Sequence, residues 1–196
     1  MRDSRTDRYS LPAIILHWVI AVGVVTMIVL GWTMLAIPKE PPGPRVAAFN
    51  LHKSIGITIF GLMVARLAWR MSHPPPPLPP MPAWQSKAAR FVHALIYVCL
   101  FVMPLAGFIA SSFSGRPIVY FGHPLPVWLA KNDAAAKVFY AIHFTTSWVL
   151  IAAVATHISA AVKHQFIDKD GLIRRMWPWG APALTSLRSR RGVPAD

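Results

Sequence analysis

The chain has 196 residues, of which 55% are hydrophobic and 14% are charged, and its mean hydropathy is +0.45. In a soluble domain about a quarter of the residues are charged. The lower charged fraction of this chain excludes a soluble domain and indicates an integral membrane protein. The net charge is +13, yet the basic residues lie mainly between apolar runs, which is typical of membrane topology and not of nucleic-acid binding. The single cysteine, Cys99, excludes a disulfide framework and a cysteine-ligated iron–sulfur cluster.

Four apolar segments each approach the roughly 20 residues that a helix needs to cross a bilayer. Because backbone groups in lipid must be satisfied within the segment, we predict an all-α, integral membrane, four-transmembrane-helix bundle that forms one domain over residues 1–180. The predicted helices cover about residues 11–37, 51–70, 89–113 and 138–164, and a basic, disordered tail is expected over 181–196. The first run is too long for the apolar region of a signal peptide, so no cleavable leader is predicted.

Proline separates the predicted helices, because it cannot continue a helix. Residues 38–44 end the first helix, and residues 73–82 are mostly proline and predict an extended linker before the third. The longest connection, residues 115–137, is rich in proline and aromatic residues and is predicted to form a structured cap at the membrane surface. Pro104 lies inside the third helix and is expected to kink it.

Lysine and arginine are distributed unequally between the two ends of the predicted helices. Fourteen of the 20 accompany the N-terminus, the second connection and the C-terminus, and the other six are Lys39, Arg45, Lys53, Arg116, Lys131 and Lys137. Basic residues concentrate on the cytoplasmic side of membrane proteins, so both termini are predicted to be cytoplasmic. The outer side remains net positive, since only Glu40 and Asp133 oppose its cations.

The chain has eight histidines, and four of them are the candidates for a site inside the predicted bundle: His17, His52, His143 and His157. Ionisable residues inside a bilayer are costly and are functional candidates. The helix directions place His52 and His143 near the outer surface and His17 and His157 near the inner one. The 14 residues between His143 and His157 make nearly four turns, about 21 Å, so both imidazoles are predicted on one face of the fourth helix.

Imidazole pairs from facing helices are suited to binding haem iron in a bundle core. One helix would then supply a ligand to each of two haems stacked across the bilayer. A zinc or copper site is the chemical alternative, and an interhelical hydrogen bond is the alternative for any single histidine. The match of four histidines in depth favours haem.

The chain resembles the bacterial di-haem cytochrome b-561 family from residue 8 to about residue 178. The matching features are Arg8-Tyr9-Ser10, Leu16-His17-Trp18, His52, Arg66-Leu67, Arg70, the proline run, His93, Tyr97, Pro104, Gly107, His143, His157, His164, Lys169-Asp170-Gly171, Arg174 and Met176. The resemblance implies a multi-pass protein of the bacterial inner membrane with two b haems. Their axial ligands would be His17, His52, His143 and His157.

The resemblance also implies a reaction, in which superoxide is oxidised at the periplasmic side and ubiquinone is reduced near the cytoplasmic side. Related sequences are haem-bearing membrane subunits of hydrogenases and similar dehydrogenases. The alternative is therefore an anchor subunit that exchanges electrons with a separate redox partner. A third possibility is a transporter or structural bundle that uses its histidines for protons.

Four further residues are candidates for supporting roles. His164 lies seven residues after His157 at the inner interface, and the resemblance favours a ubiquinone site there over a solvated histidine. Arg66 is a candidate partner for a haem propionate, with snorkelling to the headgroups as the alternative. Lys53 could hold an outer propionate or attract an anion, or be an ordinary surface charge. His93 is expected to hydrogen-bond a propionate or a neighbouring helix and not to bind iron.

Overall fold

The structure is a computed structural model that describes residues 8–78 and 81–178. Its helices are α1 (Leu11–Ala36), α2 (Pro42–Ser72), α3 (Ala83–Phe113) and α4 (Asp133–Lys163), and two short strands, β1 (Val119–Tyr120) and β2 (His123–Pro124), form a hairpin between α3 and α4. All four helices are long and apolar enough to cross a membrane, which confirms the predicted all-α, four-helix membrane fold. The predicted tail, residues 181–196, lies outside the described residues.

Three helices begin earlier than their apolar segments predict. α2 begins at Pro42 instead of about residue 51, α3 at Ala83 instead of about 89, and α4 at Asp133 instead of about 138. Hydropathy marks only the part of a helix that suits lipid, and it misses polar turns that extend beyond it. At α4 the cap itself sets the start, because the side chain of Asn132 accepts a hydrogen bond from the N–H of Ala135 at 3.0 Å.

The helices pack as two antiparallel pairs, α1 with α2 and α3 with α4, and the pairs are joined mainly where α2 meets α3. The backbone of α4 hardly approaches those of α1 and α2 within the described chain. Side chains from α1 and α2 must therefore reach across a gap to meet α4. That gap contains the histidines.

The buried core lies midway along the bundle. It is formed by Ile20, Val24, Met27, Ile59, Met63, Cys99, Leu100 and Leu150. Leu150 is 2% exposed and lies seven residues from both His143 and His157 on α4. An apolar layer thus separates the two ends of the bundle. The outward helix faces carry exposed valine, leucine and phenylalanine side chains, as lipid contact requires.

At one end, called here the hairpin face, Ser54 of α2 hydrogen-bonds the β-hairpin. This side chain is 1% exposed, and its hydroxyl accepts a hydrogen bond from the N–H of Phe121 at 2.9 Å. The same hydroxyl lies 2.8 Å from the carbonyl of Asn50 and 3.2 Å from that of Val119. The hairpin is therefore an ordered part of the connection, in agreement with the predicted cap.

At the other end, called here the amino-terminal face, α1 begins and α4 ends. After α4 the chain makes a π-helical turn, His164–Asp168, and a 3-10 turn, Leu172–Arg175. It then crosses to the start of α1, where the carbonyl of Met176 accepts a hydrogen bond from the indole N–H of Trp18 at 2.7 Å. The C-terminal part of the described chain is thereby packed onto the bundle.

Candidate functional site

The structure brings the four predicted histidines together in two pairs. His17 on α1 and His157 on α4 lie near the amino-terminal face, with ring centroids 6.3 Å apart and an interplanar angle of 83°. His52 on α2 and His143 on α4 lie towards the hairpin face, with centroids 6.1 Å apart and an angle of 71°. Each pair spans the gap between α4 and the α1–α2 pair.

The spacing of both pairs suits ligands on opposite sides of one metal ion. An imidazole nitrogen binds a metal at about 2 Å, which places the centroids of two opposed rings about 6 Å apart. Directly hydrogen-bonded imidazoles, with ring nitrogens about 3 Å apart, would have centroids about 5 Å apart. The observed separations of 6.1 and 6.3 Å fit the first arrangement.

The ring of His143 is held by α3. Its Nδ1 lies 2.8 Å from the carbonyl of Met103, so Nδ1 carries the proton and donates it. The ring can approach this carbonyl because Gly107, one turn further along α3, has no side chain: a Cβ there would lie 2.7 Å from Nδ1 of His143. With Nδ1–H occupied, Nε2 keeps its lone pair for a metal, as in most metal-ligating histidines.

His52 has a buried Nδ1 with no hydrogen-bond partner in the described part of the chain. Its Cε1 lies 3.8 Å from where a Cβ of Gly31 would be, so a small residue on α1 leaves room beside this ring. A buried nitrogen without a partner costs free energy in an apolar bundle. The space beside the His52 ring and its unpartnered nitrogen are consistent with a site that binds a group other than the polypeptide.

The centroid of His93, on α3, lies 5.1 Å from that of His157. His93 therefore lies beside the pair near the amino-terminal face. Because His17 and His157 already oppose each other, His93 is a lateral neighbour of the pair.

The two predicted cationic candidates have contacts within the polypeptide. Arg66 donates from Nε to the hydroxyl of Tyr97 at 3.1 Å and from Nη1 to the carbonyl of Ala13 at 2.9 Å. Lys53 donates from Nζ to the carbonyl of Pro117 at 3.1 Å, which ties α2 to the connection after α3.

His164 lies in the π-helical turn that follows α4, beside two carboxylates. Its Nδ1 is 2.6 Å from Asp170 and 3.2 Å from Asp168. The second oxygen of Asp170 accepts a hydrogen bond from the N–H of Leu172 at 3.0 Å. Partial burial raises the pKa of the Asp170 carboxyl, but the N–H of Leu172 and the His164 imidazole outweigh it and hold that pKa below its usual range. Asp170 is therefore ionised at neutral pH.

The sequence prediction named the histidines but not the residues that position them. Neither the carbonyl of Met103 nor the Asp170 carboxylate was assigned a role. A backbone carbonyl has no sequence signature. Asp170 lies only six residues after His164, and this short distance between an acidic residue and a candidate histidine was the available signal.

The fold and the paired imidazoles define a class: four-helix membrane bundles with two candidate metal centres, one towards each end. A family model described as prokaryotic cytochrome b561 matches residues 8–179. The chain belongs to this family of bacterial membrane cytochromes. Membership implies b-type haem and a role in membrane electron transfer, and the donor set of two imidazoles per site fits haem iron.

Similar proteins support the assignment along nearly the whole chain. "Cytochrome b561 homolog 2" of Escherichia coli (strain K12) is 37% identical over 172 residues, which are 87% of this chain and 91% of that protein. "Cytochrome b561 homolog 1" of the same organism is 29% identical over 177 residues, 88% and 98% of the two chains. The "Probable superoxide oxidase CybB" of Yersinia pestis is 25% identical over 173 residues, 87% and 96% of the two chains.

Proposed function

We propose that this protein oxidises superoxide at the hairpin face, which is periplasmic, and reduces ubiquinone near the amino-terminal face, which is cytoplasmic. The observation that carries the proposal is the presence of two histidine pairs at metal-ligand spacing, one towards each end of the bundle. The name of the Yersinia pestis relative supports superoxide as the electron donor. The unequal distribution of lysine and arginine supports the orientation, with both termini cytoplasmic.

In this proposal His17 and His157 hold one b haem, and His52 and His143 hold the other. Bound haem supplies a one-electron ferric/ferrous couple. The protein binds and orients it, and excludes water with the apolar layer around Leu150. Arg66, Lys53 and His93 are the candidates for contacts with propionates, because each is a potential donor beside one of the two pairs.

At the hairpin face the protein must attract a small anion. Lys53 is held against the connection by the carbonyl of Pro117, and Arg116 precedes that proline. The sequence places six cations and only two acidic residues at this end of the bundle. A net positive surface raises the encounter rate with an anion such as superoxide, and this effect weakens as salt concentration rises.

At the amino-terminal face ubiquinone needs two electrons and two protons. Two superoxide ions supply the electrons, one each, and leave as two molecules of dioxygen. His164 is the candidate proton donor, because its Nδ1–H is directed to Asp170 and the Nε2–H of a doubly protonated imidazole can donate to a quinone carbonyl. The ionised Asp170 accepts the hydrogen bond from Nδ1–H and fixes the orientation of the ring.

Replacing Asp170 with asparagine is expected to slow quinone reduction about tenfold, because a hydrogen bond to a charged partner is lost. Reduction of the haem by superoxide should not change. The difference from the unsubstituted protein is expected to persist at about pH 5, because the Asp170 carboxyl has a lowered pKa and stays ionised there. Stopped-flow spectra of haem reduction and reoxidation separate the two steps.

Asp168→Asn is the matched control, since Asp168 lies farther from Nδ1 of His164 and also binds Lys163. Asp170→Glu should recover part of the rate. Equal slowing by the Asp168 and Asp170 substitutions would show that Asp170 has no special role.

The proposed function is tested with purified protein in detergent. A superoxide-generating system and a short-chain ubiquinone analogue are supplied together, and quinol formation is measured beside the haem absorbance. We expect quinol to form only with the haem-loaded protein, and superoxide dismutase to suppress it. Haem that stays oxidised under a sustained superoxide supply would refute the proposal.

The alternative, a haem-bearing anchor subunit, is favoured by one feature of the hairpin face. Val127 and Trp128, in the connection before α4, are 77% and 56% exposed, and exposed apolar side chains of this kind often contact a protein partner. Co-purification of a stoichiometric iron–sulfur or haem protein from native membranes would favour this function over superoxide oxidation.

A further inference from the structure

A cleft of about 540 Å³ opens at the amino-terminal face, between the start of α1, the end of α2 and the proline linker. Its volume lies in the range of small-molecule sites. Arg66, Arg70, His73, Trp69 and Tyr97 are among its lining residues. None of the described residues that line it is an aspartate or a glutamate, so this lining is cationic and aromatic.

Two of the arginines that line the cleft, Arg66 and Arg70, have no carboxylate partner in the described part of the chain. Arg66 is half-buried and donates only to neutral acceptors, the Tyr97 hydroxyl and the Ala13 carbonyl. The guanidinium of Arg70 lies 5.8 Å from the centroid of the Tyr97 ring. None of the ion pairs among the described residues includes either arginine. Arg70 is exposed at the mouth of the cleft, and two neighbouring guanidinium groups without a carboxylate partner favour binding of an anion.

The wall of the cleft is preformed. Trp69 donates its indole N–H to the hydroxyl of Ser10 at 2.9 Å, and its ring stacks on His73 at 3.9 Å between centroids, with an angle of 3°. His73 is also hydrogen-bonded to the Ser72 hydroxyl at 2.9 Å. Pro74–Pro76 continue the wall, and proline restricts the backbone. A ligand therefore has few groups to order when it binds.

The surroundings of the cleft are apolar. Leu11 follows the lining residue Ser10 and is 63% exposed, and Met71 lies between the lining residues Arg70 and Ser72 and is 77% exposed. An anion that carries a hydrocarbon chain can bind both the cationic lining and the apolar surroundings, and so gains more binding free energy than a small free anion, which contacts only the cationic lining.

We propose that this cleft binds the phosphate group of an anionic phospholipid from the leaflet that borders the amino-terminal face. Arg66 and Arg70 bind the phosphate oxygens, Trp69 and Tyr97 contact the glycerol region, and the acyl chains lie along Leu11 and Met71. Basic pockets between membrane helices bind anionic headgroups in this manner. Arg66 is shared with the proposed propionate contact, whereas Arg70 belongs to the cleft alone, so Arg70 provides the test.

The test is native mass spectrometry of the haem-loaded protein titrated with phosphatidylglycerol or phosphatidylcholine. We expect phosphatidylglycerol to bind at least about tenfold more tightly, and Arg70→Gln to lower its affinity about tenfold by removing a charge-assisted contact. Arg90→Gln is the matched control, because Arg90 is an exposed arginine of α3 that donates a hydrogen bond to the Ser86 carbonyl and is not among the described residues that line the cleft. An unchanged haem spectrum shows that the variants are folded.

Equal affinity for the two lipids, or equal loss in the Arg70 and Arg90 variants, would overturn the proposal. Competition with glycerol 3-phosphate, added at the same concentration as the lipid, distinguishes a lipid phosphate from the phosphate of a soluble ester. Failure to displace phosphatidylglycerol supports a lipid site. Displacement at equal concentration overturns the assignment to a lipid and identifies the cleft as a site for a soluble phosphate ester.

Discussion

Replacing His143 with alanine is expected to lower the haem content from two per chain to one. The remaining haem is the one that we assign to His17 and His157 near the amino-terminal face. The reason is geometric: His143 and His52 oppose each other at 6.1 Å, and one imidazole cannot hold the iron as two do. Haem extraction with a pyridine hemochrome spectrum gives the content, and low-temperature optical spectra should lose one of two components.

His157→Ala is the partner experiment, because His157 is the α4 ligand of the other pair, 14 residues away on the same helix. It should also leave one haem, with the complementary spectrum. His123→Ala, an exposed histidine of β2, is the control and should keep both haems. Two haems with unchanged spectra in either α4 variant would contradict the proposed ligation.

Replacing Gly107 with alanine is expected to weaken the same haem site without removing a ligand. The added Cβ would lie 2.7 Å from Nδ1 and 3.0 Å from Cε1 of His143, so the ring must move and lose its hydrogen bond to the Met103 carbonyl. Loss of such a second partner typically weakens metal binding about 10–100-fold. The rate of haem transfer to excess apomyoglobin measures this loss, and Gly107→Val should be worse.

Gly61→Ala is the matched control for this prediction. Gly61 is also a helical glycine in a membrane span, on α2, and a Cβ there would meet nothing within 4 Å. It should retain both haems as firmly as the unsubstituted protein. If Gly107→Ala behaves like Gly61→Ala, the close approach of His143 to α3 is not needed for haem binding.

Both predictions depend on α4, which carries one histidine of each pair. His143 and His157 lie on a single uninterrupted helix, Asp133–Lys163, so the distance between the two levels is set by helix geometry, about 21 Å for 14 residues. α1 and α2 each supply one partner only. Their contributions can be altered separately, whereas a change in the position of α4 would affect both sites.

The sequence by itself determined the number of membrane helices and the two levels of histidine. Bilayer thickness sets the length of an apolar run, and the helical period fixes which residues share a face. These are local relations along the chain, so His17, His52, His143 and His157 were identified before any contact was known. The first turns of α2, α3 and α4 were missed for the same reason, because they are helical but contain charged residues that interrupt the apolar run.

Only the tertiary structure decided which groups surround the histidines. The carbonyl of Met103 reaches His143 across 40 residues, Ser54 holds the hairpin across 67, and the cleft at Arg70 combines α1, α2, α3 and the proline linker. Such contacts depend on how the helices pack against one another and on which faces they present. Packing angle and rotation are not encoded in the hydrophobic pattern of any one helix, since lipid and protein interior are both apolar.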